Sequence, residues 1–480
     1  MNIIVKVMAI PAAGFIAMAG AQAADLPTSK PAAVPPPTLV SCANPMEFIT
    51  TDCPLTWYGV TVYGTVDMGV GWQSHGTPFN RSIISGVEEL VSKNSNHAQW
   101  LPEPGGLSQS NVGIKGVEPL APGWSFVFDL NLGFDPYSLT LANGPKSYLE
   151  NNGVPLASQT SNADSSRAGQ FYNSVGYAGV SSTTFGALTA GRVNSLTLDG
   201  VIAYDPMGAS YAFSPIGYSG LTAGAGDTED ARYSTAIKYR VDVGMFRAAG
   251  LYQFGGYDLN NATQGAYEFQ LGGDFNGGAY GKLSLDAIYT RDTDAVSSAP
   301  LSAAQNLVHP GTLAATISDD TSVMLLAKYA FNQFKVYGGY EHITFQNPSD
   351  PQLINFTDIG GYTAVYTGVG GQINNVAYTN NRIMQIMWVG GRYAFTDNLD
   401  TGVGYYHYIQ NSFNSTYCNN TSSSACAGTL DAFSFDVDWK FAKKFDAYAG
   451  VMFSEVHNGL ASGYLYKTNV DPTVGLRFRF

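Results

Sequence analysis

The feature that most restricts the fold of this chain is an alternation of apolar and polar side chains that recurs from residue 57 to residue 480. The last segment shows it most clearly. Its apolar positions are Val470, Pro472, Val474, Leu476, Phe478 and Phe480, and its polar or small positions are Asp471, Thr473, Gly475, Arg477 and Arg479. A repeat of two residues predicts β-strands. Shifting the register by one residue would turn both arginines to the apolar side, so the pattern also fixes the two faces of the strand.

Similar segments follow one another along the chain, and tight connections such as 332–333 alternate with long ones such as 136–170. We predict about sixteen strands, with fourteen or eighteen as alternatives, each long enough for the roughly 9–11 residues of a tilted membrane crossing. Hydrophobic residues make up 45% of the chain and charged residues 13%, as expected for strands with one apolar and one polar face. The predicted fold class is all-β, a transmembrane antiparallel β-barrel with short periplasmic turns and long external loops.

The one long apolar run of the chain lies at its N-terminus. Lys6 provides a positive start, residues 7–20 form the apolar segment, and Pro11 and Gly14 interrupt it. These features favour a cleaved signal peptide over residues 1–23 rather than a membrane anchor. The sequence therefore predicts a protein that is exported across the inner membrane.

Residues 24–56 are rich in proline and are predicted to form an extended tether before the barrel. Four cysteines fit an oxidising compartment. Cys42 and Cys53 precede the first strand, whereas Cys418 and Cys426 lie in a long loop at the opposite end of the predicted barrel. Because only nearby cysteines can be bridged, we predict two local disulfides, and a zinc site is disfavoured since no histidine lies near the first pair.

Four short segments resemble the Gram-negative general porins, and together they span most of residues 57–480. The segments are 60–67 (VTVYGTVD), 112–118 (VGIKGVE), 185–192 (FGALTAGR) and 476–480 (LRFRF). The resemblance implies a homotrimer of water-filled barrels in the outer membrane of a Gram-negative bacterium. It also implies that the third external loop folds into the pore, and that Phe480 is read as an assembly signal by the barrel-assembly machinery.

By strand order the third external loop is 194–230, and its charges are all acidic. Its acids are Asp199, Asp205, Asp227, Glu229 and Asp230. Basic residues predicted on the pore wall are Arg192, Arg232, Lys238, Arg240, Arg247, Lys282 and Lys335. If the loop folds inward, its acids face these bases across water and create a transverse field. The alternative is that these charges are ordinary solvated positions of a wall and a loop. Further acids predicted on the inner face leave the sign of ion selectivity open.

The function that we predict is passive diffusion of small hydrophilic solutes and ions. The alternatives are a channel selective for sugars or anions, and a barrel that carries a hydrolase or an adhesin, for which His457 beside Glu455 is the one candidate pair. No cofactor or metal is predicted. The net charge of −13 argues against nucleic acid as a partner. Outer-membrane lipid and lipopolysaccharide are the expected surroundings of the barrel.

Overall fold

The structure, a computed structural model, describes residues 41–74, 98–134, 136, 137, 139, 174–217, 232–254, 265–299, 314–349, 373, 374, 376, 378–413, 418, 425–461 and 466–480. The predicted signal peptide and the tether up to residue 40 lie outside the described residues. So do three of the predicted loop acids, namely Asp227, Glu229 and Asp230.

Sixteen long strands form the barrel, which is the predicted number. They are β1 Val60–Gln73, β2 Asn111–Ala121, β3 Trp124–Gly133, β4 Val175–Ser182, β5 Gly186–Asn194, β6 Arg232–Val243, β7 Phe246–Gln253, β8 Gly265–Asn276, β9 Lys282–Ala299, β10 Ala314–Phe331, β11 Phe334–Gln346, β12 Arg382–Thr396, β13 Leu399–Gln410, β14 Gly428–Ala442, β15 Phe445–Asn458 and β16 Thr468–Arg479. Each long strand pairs in antiparallel fashion with the next one along the chain. Short strands at Leu55–Trp57, Gln99–Pro104 and Ile373–Asn374 add to the sheet.

The barrel closes because the last long strand pairs with the first. Arg477 of β16 lies opposite Asp67 of β1 in the register, and Gly64 and Phe480 exchange backbone hydrogen bonds of 3.0 and 2.9 Å at the end of this seam. Closure leaves no bare strand edge, which lipid could not satisfy with hydrogen bonds.

The two faces of the strands differ as the alternation predicted. On β16, Val474 and Leu476 point outward with exposed fractions of 54% and 59%. The next residue, Arg477, points inward and is 1% exposed. On β14, Phe433 and Trp439 are exposed and Asp436 is buried. An apolar exterior around a polar interior is the arrangement that a membrane barrel requires.

The interior phase shifts at β6, where simple alternation from Lys238 and Arg240 would place Tyr233 on the apolar exterior. Tyr233 is instead 2% exposed, and its hydroxyl donates a 3.0 Å hydrogen bond to the carboxylate of Asp292. The pairing of β5 with β6 slips between Gly191 and Val193, and Thr235 has a positive φ of 54°. Such a bulge adds a residue to one strand, so side chains beyond it exchange faces.

The end of the predicted tether is not extended. Asn44 caps the helix α1, Pro45–Thr50, by accepting a 2.9 Å hydrogen bond from the backbone N–H of Glu47. Proline at the first helical position favours this start because it needs no N–H partner there. The disulfide between Cys42 and Cys53 closes the segment, and the disulfide between Cys418 and Cys426 is also formed, so both predicted pairings are confirmed.

A second helix, α2 at Leu196–Tyr204, follows β5, and single turns of 3₁₀-helix lie at Gly278–Tyr280 and Gly459–Ala461. In the described part of the chain, no helix has the length and apolar character needed to cross a membrane.

Candidate pore constriction

The third external loop enters the barrel directly after β5, through α2. Ser195 caps this helix by accepting a 3.0 Å hydrogen bond from the backbone N–H of Leu198. Leu196 and Val201 are completely buried, although the helix lies in a loop. At Gly200 a side chain would bring its Cβ within 2.8 Å of Leu326 on β10, so glycine allows the helix to lie directly on the inner wall.

One acid of the helix is held by the basic wall. The carboxylate of Asp199 lies 2.6 Å from Nζ of Lys238 and 3.3 Å from a guanidinium nitrogen of Arg240, both on β6. Burial alone would raise the pKa of Asp199, but the charges of the two bases outweigh it and hold this pKa below its usual range. Asp199 therefore meets its predicted bases in direct contact, not across water.

The C-terminal end of α2 is fixed from several strands. The Tyr204 hydroxyl hydrogen-bonds to Asp286 on β9, and Arg247 on β7 donates to both groups, each at 2.7 Å. On β10, Lys328 donates a 2.9 Å hydrogen bond to the carbonyl oxygen of Ala203, which suits a cation at a helix C-terminus. Indole Nε1–H of Trp388 on β12 donates to the carbonyl of Tyr204 at 3.1 Å.

Beyond the helix the chain continues across the wall as a tight turn. The carboxylate of Asp205 accepts hydrogen bonds from the hydroxyl of Tyr406 at 2.6 Å and from the backbone N–H of Ala209 at 2.7 Å. Burial of this carboxyl raises the pKa of Asp205 above its ordinary value despite these hydrogen bonds. Arg392 on β12 donates to the carbonyl of Pro206 at 3.1 Å and also binds Asp436.

The same loop reaches the opposite part of the wall. The backbone N–H of Ala212 donates to the carbonyl of Gly106 at 2.9 Å, and Tyr211 hydrogen-bonds to Gln109, both between β1 and β2. Phe213 is completely buried and its ring meets that of Tyr448 on β15 at 6.3 Å. The loop therefore crosses the lumen from β6 to β15 and occupies part of the cross-section of the lumen.

The other predicted wall bases take different environments. Arg192 and Arg232 are buried where the loop leaves the wall, and Arg192 donates to the hydroxyl of Ser234 at 2.9 Å. Lys282 pairs with Asp274 at 2.9 Å, and its side chain is 50% exposed. Lys335 lies half-buried at the start of β11.

Several charged groups of the lumen escaped the site prediction. Arg392 binds Asp400 and Asp436, and Arg477 lies 2.9 Å from Asp446 and 3.4 Å from Asp438. The alternation could have revealed them, since Arg392 shares the inner phase of its strand with Trp388. Their pairing across strands could not be predicted without the register.

Some ionisable residues on the exterior also form pairs, away from the lumen. His407 and Asp431 lie 2.7 Å apart on β13 and β14, and His457 and Glu455 lie 3.4 Å apart near the end of β15. Within the ranges that the structure describes, no three or more histidine, cysteine, aspartate or glutamate residues are grouped so as to hold a metal ion.

Solved structures with a similar fold include the following three. The anion-selective porin from Comamonas acidovorans is 15% identical with a TM-score of 0.53, and the match covers 88% of this chain and 99% of that chain. OmpT of Vibrio cholerae, expressed in the outer membrane, is 14% identical with a TM-score of 0.53, covering 89% and 100%. The trimer form of in-vitro folded OmpT is 15% identical with a TM-score of 0.53, covering 88% and 99%.

Among curated protein sequences, none matches this chain. A sequence profile described as Gram-negative porin matches residues 9–459, which is most of the chain. With the closed barrel of sixteen strands, this match establishes a channel of the outer membrane for passive diffusion. The chain thus belongs to the Gram-negative porin family.

Proposed function

We propose that small hydrophilic solutes pass this barrel through a lumen narrowed by the third loop, without catalysis, and that three copies form the working channel. The observation that carries the proposal is the fixed position of α2 and the following turn on the inner wall. Asp199, Tyr204 and Asp205 each bind the wall through side chains or backbone. Because the loop is held at these points, the width of the lumen beside it stays fixed and sets the size limit for solutes.

Charge then sorts the solutes that fit. Toward the periplasmic ends of β6–β11, bases outnumber acids on the inner wall. The bases are Lys238, Arg240, Arg247, Lys282, Lys328 and Lys335, and the acids are Asp242, Glu268, Asp274 and Asp286. Asp199 neutralises part of this excess from the loop. One pair of charges 10 Å apart in water is worth about 0.4 kcal/mol, and salt screens it over about 8 Å, so the field produces a preference and not an absolute filter.

The acids Asp227, Glu229 and Asp230 belong to the same loop but lie outside the described residues, so their part in the constriction stays a prediction from the sequence. Asp205 is the fifth loop acid, and its hydrogen bonds make it an anchor of the loop. Arg192 and Arg232 support the base of the loop from the wall, where both are buried. Solutes would then meet the bases of the wall beside the loop helix.

The outer face around the seam supports a trimer. On β16, β1 and β2 this face is aliphatic, and exposed examples are Val474, Leu476, Met68, Val70, Val112 and Ile114. Aromatic rings instead lie beside short turns elsewhere, where Phe334 meets Tyr393 at 4.5 Å. Rings of this kind suit the interface of lipid and water, whereas a smooth aliphatic face can pack on a second copy. One similar structure is described as a trimer form.

If the seam faces a second copy, the rest of the outer surface of the barrel faces the membrane. We propose that lipid and lipopolysaccharide cover the other outer faces, and that Phe480 at the seam is recognised by the barrel-assembly machinery before the barrel closes. The backbone of Phe480 pairs with Gly64 once closure is complete.

A planar-bilayer recording of the purified full-length protein tests the proposal. We expect conductance steps that occur in groups of three and depend linearly on salt concentration. Liposome swelling with sugars of increasing mass should show a gradual loss of permeation. A protein that inserts as a folded barrel but gives no stepwise conductance would contradict the channel, and saturable uptake of a single sugar would favour the substrate-selective alternative.

A further inference from the structure

Three lysines lie together on the inner wall near the periplasmic end of adjacent strands. Lys282 begins β9, Lys328 lies near the end of β10 and Lys335 is the second residue of β11. Ala330 is paired with Lys282 on one side and with Lys335 on the other. Lys328 precedes Ala330 by two residues on the same face, so it is the diagonal neighbour of both other lysines. Diagonal neighbours in a sheet lie about 7–8 Å apart, which long side chains can span.

The charges of this lysine cluster are only partly balanced. Asp274 lies 2.9 Å from Nζ of Lys282, but it also binds Arg247 at 3.2 Å. Among the described residues, no carboxylate lies within 4.0 Å of the ammonium group of Lys328 or of Lys335. The next residue along the same rung is Arg392 on β12, opposite Lys335, which adds a further cation. Its own charge is taken by Asp400 and Asp436.

The cluster is also placed where a passing solute can reach it. The Lys282 side chain is 50% exposed, and Lys328 and Lys335 are half-buried. Lys328 uses one of its donors on the carbonyl of Ala203, and its Nζ lies 5.1 Å from the centre of the Tyr204 ring. An ammonium group carries three donors, so further donors remain for a ligand. The cluster therefore lies directly beside the end of α2, on the periplasmic side of the narrowing.

We propose that Lys282, Lys328 and Lys335 form a binding site for small oxyanions of charge −2, which anions occupy after they pass the loop and before they leave the channel. The inference rests on the proposed channel function and adds to it a ligand class. Three ammonium groups on neighbouring strands repel one another, and one dianion between them relieves this repulsion while accepting several charge-assisted hydrogen bonds. A monovalent anion would relieve less of it and bind more weakly.

Sulfate is the probe for this site. In a planar bilayer with the full-length protein and potassium chloride on both sides, added sulfate should reduce the chloride conductance to a plateau. Gluconate, a monovalent anion, should give no plateau over the same range. The double variant Lys282→Met with Lys335→Met should require about tenfold more sulfate for half of the effect, since it removes two charged hydrogen-bond donors. In the described part of the chain neither residue forms a hydrogen bond or an ion pair with the loop, so the polar contacts that hold the constriction stay in place.

Lys440→Met is the matched control. Lys440 is a half-buried lysine at the periplasmic end of β14, outside the lysine cluster. The control should keep the sulfate response of the unmodified protein. If sulfate gives no plateau, if the double variant responds as the unmodified protein does, or if Lys440→Met weakens sulfate equally, the binding site is refuted while the channel stands. If no conductance steps occur in any protein, the channel function itself fails.

Discussion

The indole of Trp388 on the barrel wall donates a 3.1 Å hydrogen bond to the carbonyl oxygen of Tyr204 at the end of the loop helix. Trp388 is 3% exposed, and it occupies the inner phase of β12, where an open pore would have a polar residue. The ring is buried because the loop covers it, and its one polar atom has a partner in the loop. A tryptophan on the water-facing side of a barrel strand is therefore the mark of a loop that packs there.

Gly339 on β11 lies beneath this ring, and a substitution there tests how firmly the loop is held. A Cβ at Gly339 would lie 2.0 Å from Cζ2 of Trp388, so Gly339→Ala must displace the indole and weaken its bond to Tyr204. We expect larger open-channel current noise in single-channel recordings. Gly338→Ala is the control, because its Cβ would have only the carbonyl of Trp388 in contact, at 3.7 Å. Equal noise in the two variants would mean that Trp388 does not hold the loop.

The alternation of the sequence was sufficient to predict the barrel and about sixteen strands, and the strand order then placed the four cysteines so that two local disulfides could be predicted. It could not give the contacts of the lumen, because these depend on register and on a loop without any repeat. Nothing in the sequence around Asp199 indicates that Lys238 is its partner. The bulge near Thr235 turns Tyr233 inward, and no feature of the sequence pattern indicates that bulge. Trp388 is an apolar residue on the inner phase of β12 and thus an exception to the alternation, and the loop that packs on it is the reason.

Asp199→Asn removes the charge that neutralises Lys238 and Arg240. Breaking a buried ion pair by removing one partner costs about 3–5 kcal/mol, much of it from the charges left unpaired. We expect a looser loop and a shift of the reversal potential toward anion selectivity in a potassium chloride gradient. Asp397→Asn makes the same change of charge in the exposed turn between β12 and β13 and should leave the reversal potential almost unaltered. A reversal potential that is the same in Asp199→Asn and the unmodified protein would contradict this role.

Arg477 at the seam is buried and forms ion pairs with two carboxylates. Its guanidinium lies 2.9 Å from Asp446 and 3.4 Å from Asp438, and the residue is 1% exposed. Arg477→Met would remove this buried cation from both carboxylates and leave Asp446 with Arg479 alone, so we expect a loss of about 3–5 kcal/mol in the free energy of unfolding. Urea unfolding in detergent micelles, followed by tryptophan fluorescence, measures it.

Arg479→Met provides the comparison for the seam. Arg479 also binds Asp446, at 2.9 Å, but its side chain is 27% exposed and water can replace it. We expect a loss of no more than about 1 kcal/mol, as for a surface ion pair. If the free energy of unfolding falls equally in Arg477→Met and Arg479→Met, then the burial of Arg477 is not the reason that its ion pairs stabilise the seam.

The disulfide of the N-terminal segment should stabilise that segment and not the barrel. Phe48 of α1 lies against Phe478 and Phe480 at 6.1 and 6.2 Å, and Nζ of Lys444 lies 3.9 Å from the centre of the Phe48 ring. Closing a loop of this length is worth about 3 kcal/mol. With Cys42→Ser and Cys53→Ser together, we expect faster protease cleavage between residues 41 and 57 and an unchanged barrel transition in urea. A lower barrel transition would instead make the segment part of the seam.

Lowering the pH should first strengthen and then weaken the binding of the loop to the wall, because the pKa values of Asp205 and Asp199 are shifted in opposite directions. Burial raises the pKa of Asp205, so the protonated form favours docking. That contribution is complete below the usual aspartate pKa of about 3.9 and is lost as the pH rises through the raised value. The pKa of Asp199 is depressed, so its contribution is present above about 3.9 and is lost only as the pH falls through the lower value.

Over the pH interval above the depressed pKa of Asp199, that carboxylate remains charged while Asp205, whose pKa is raised, takes up its proton as the pH falls. Open-channel noise should fall over this interval and rise again only at lower pH. In Asp205→Asn the fall should disappear, because an amide keeps the loop position neutral at every pH and can still accept from the hydroxyl of Tyr406. Noise that increases steadily from pH 7 downward in the unmodified protein would show that acid weakens the contacts of the loop from the start.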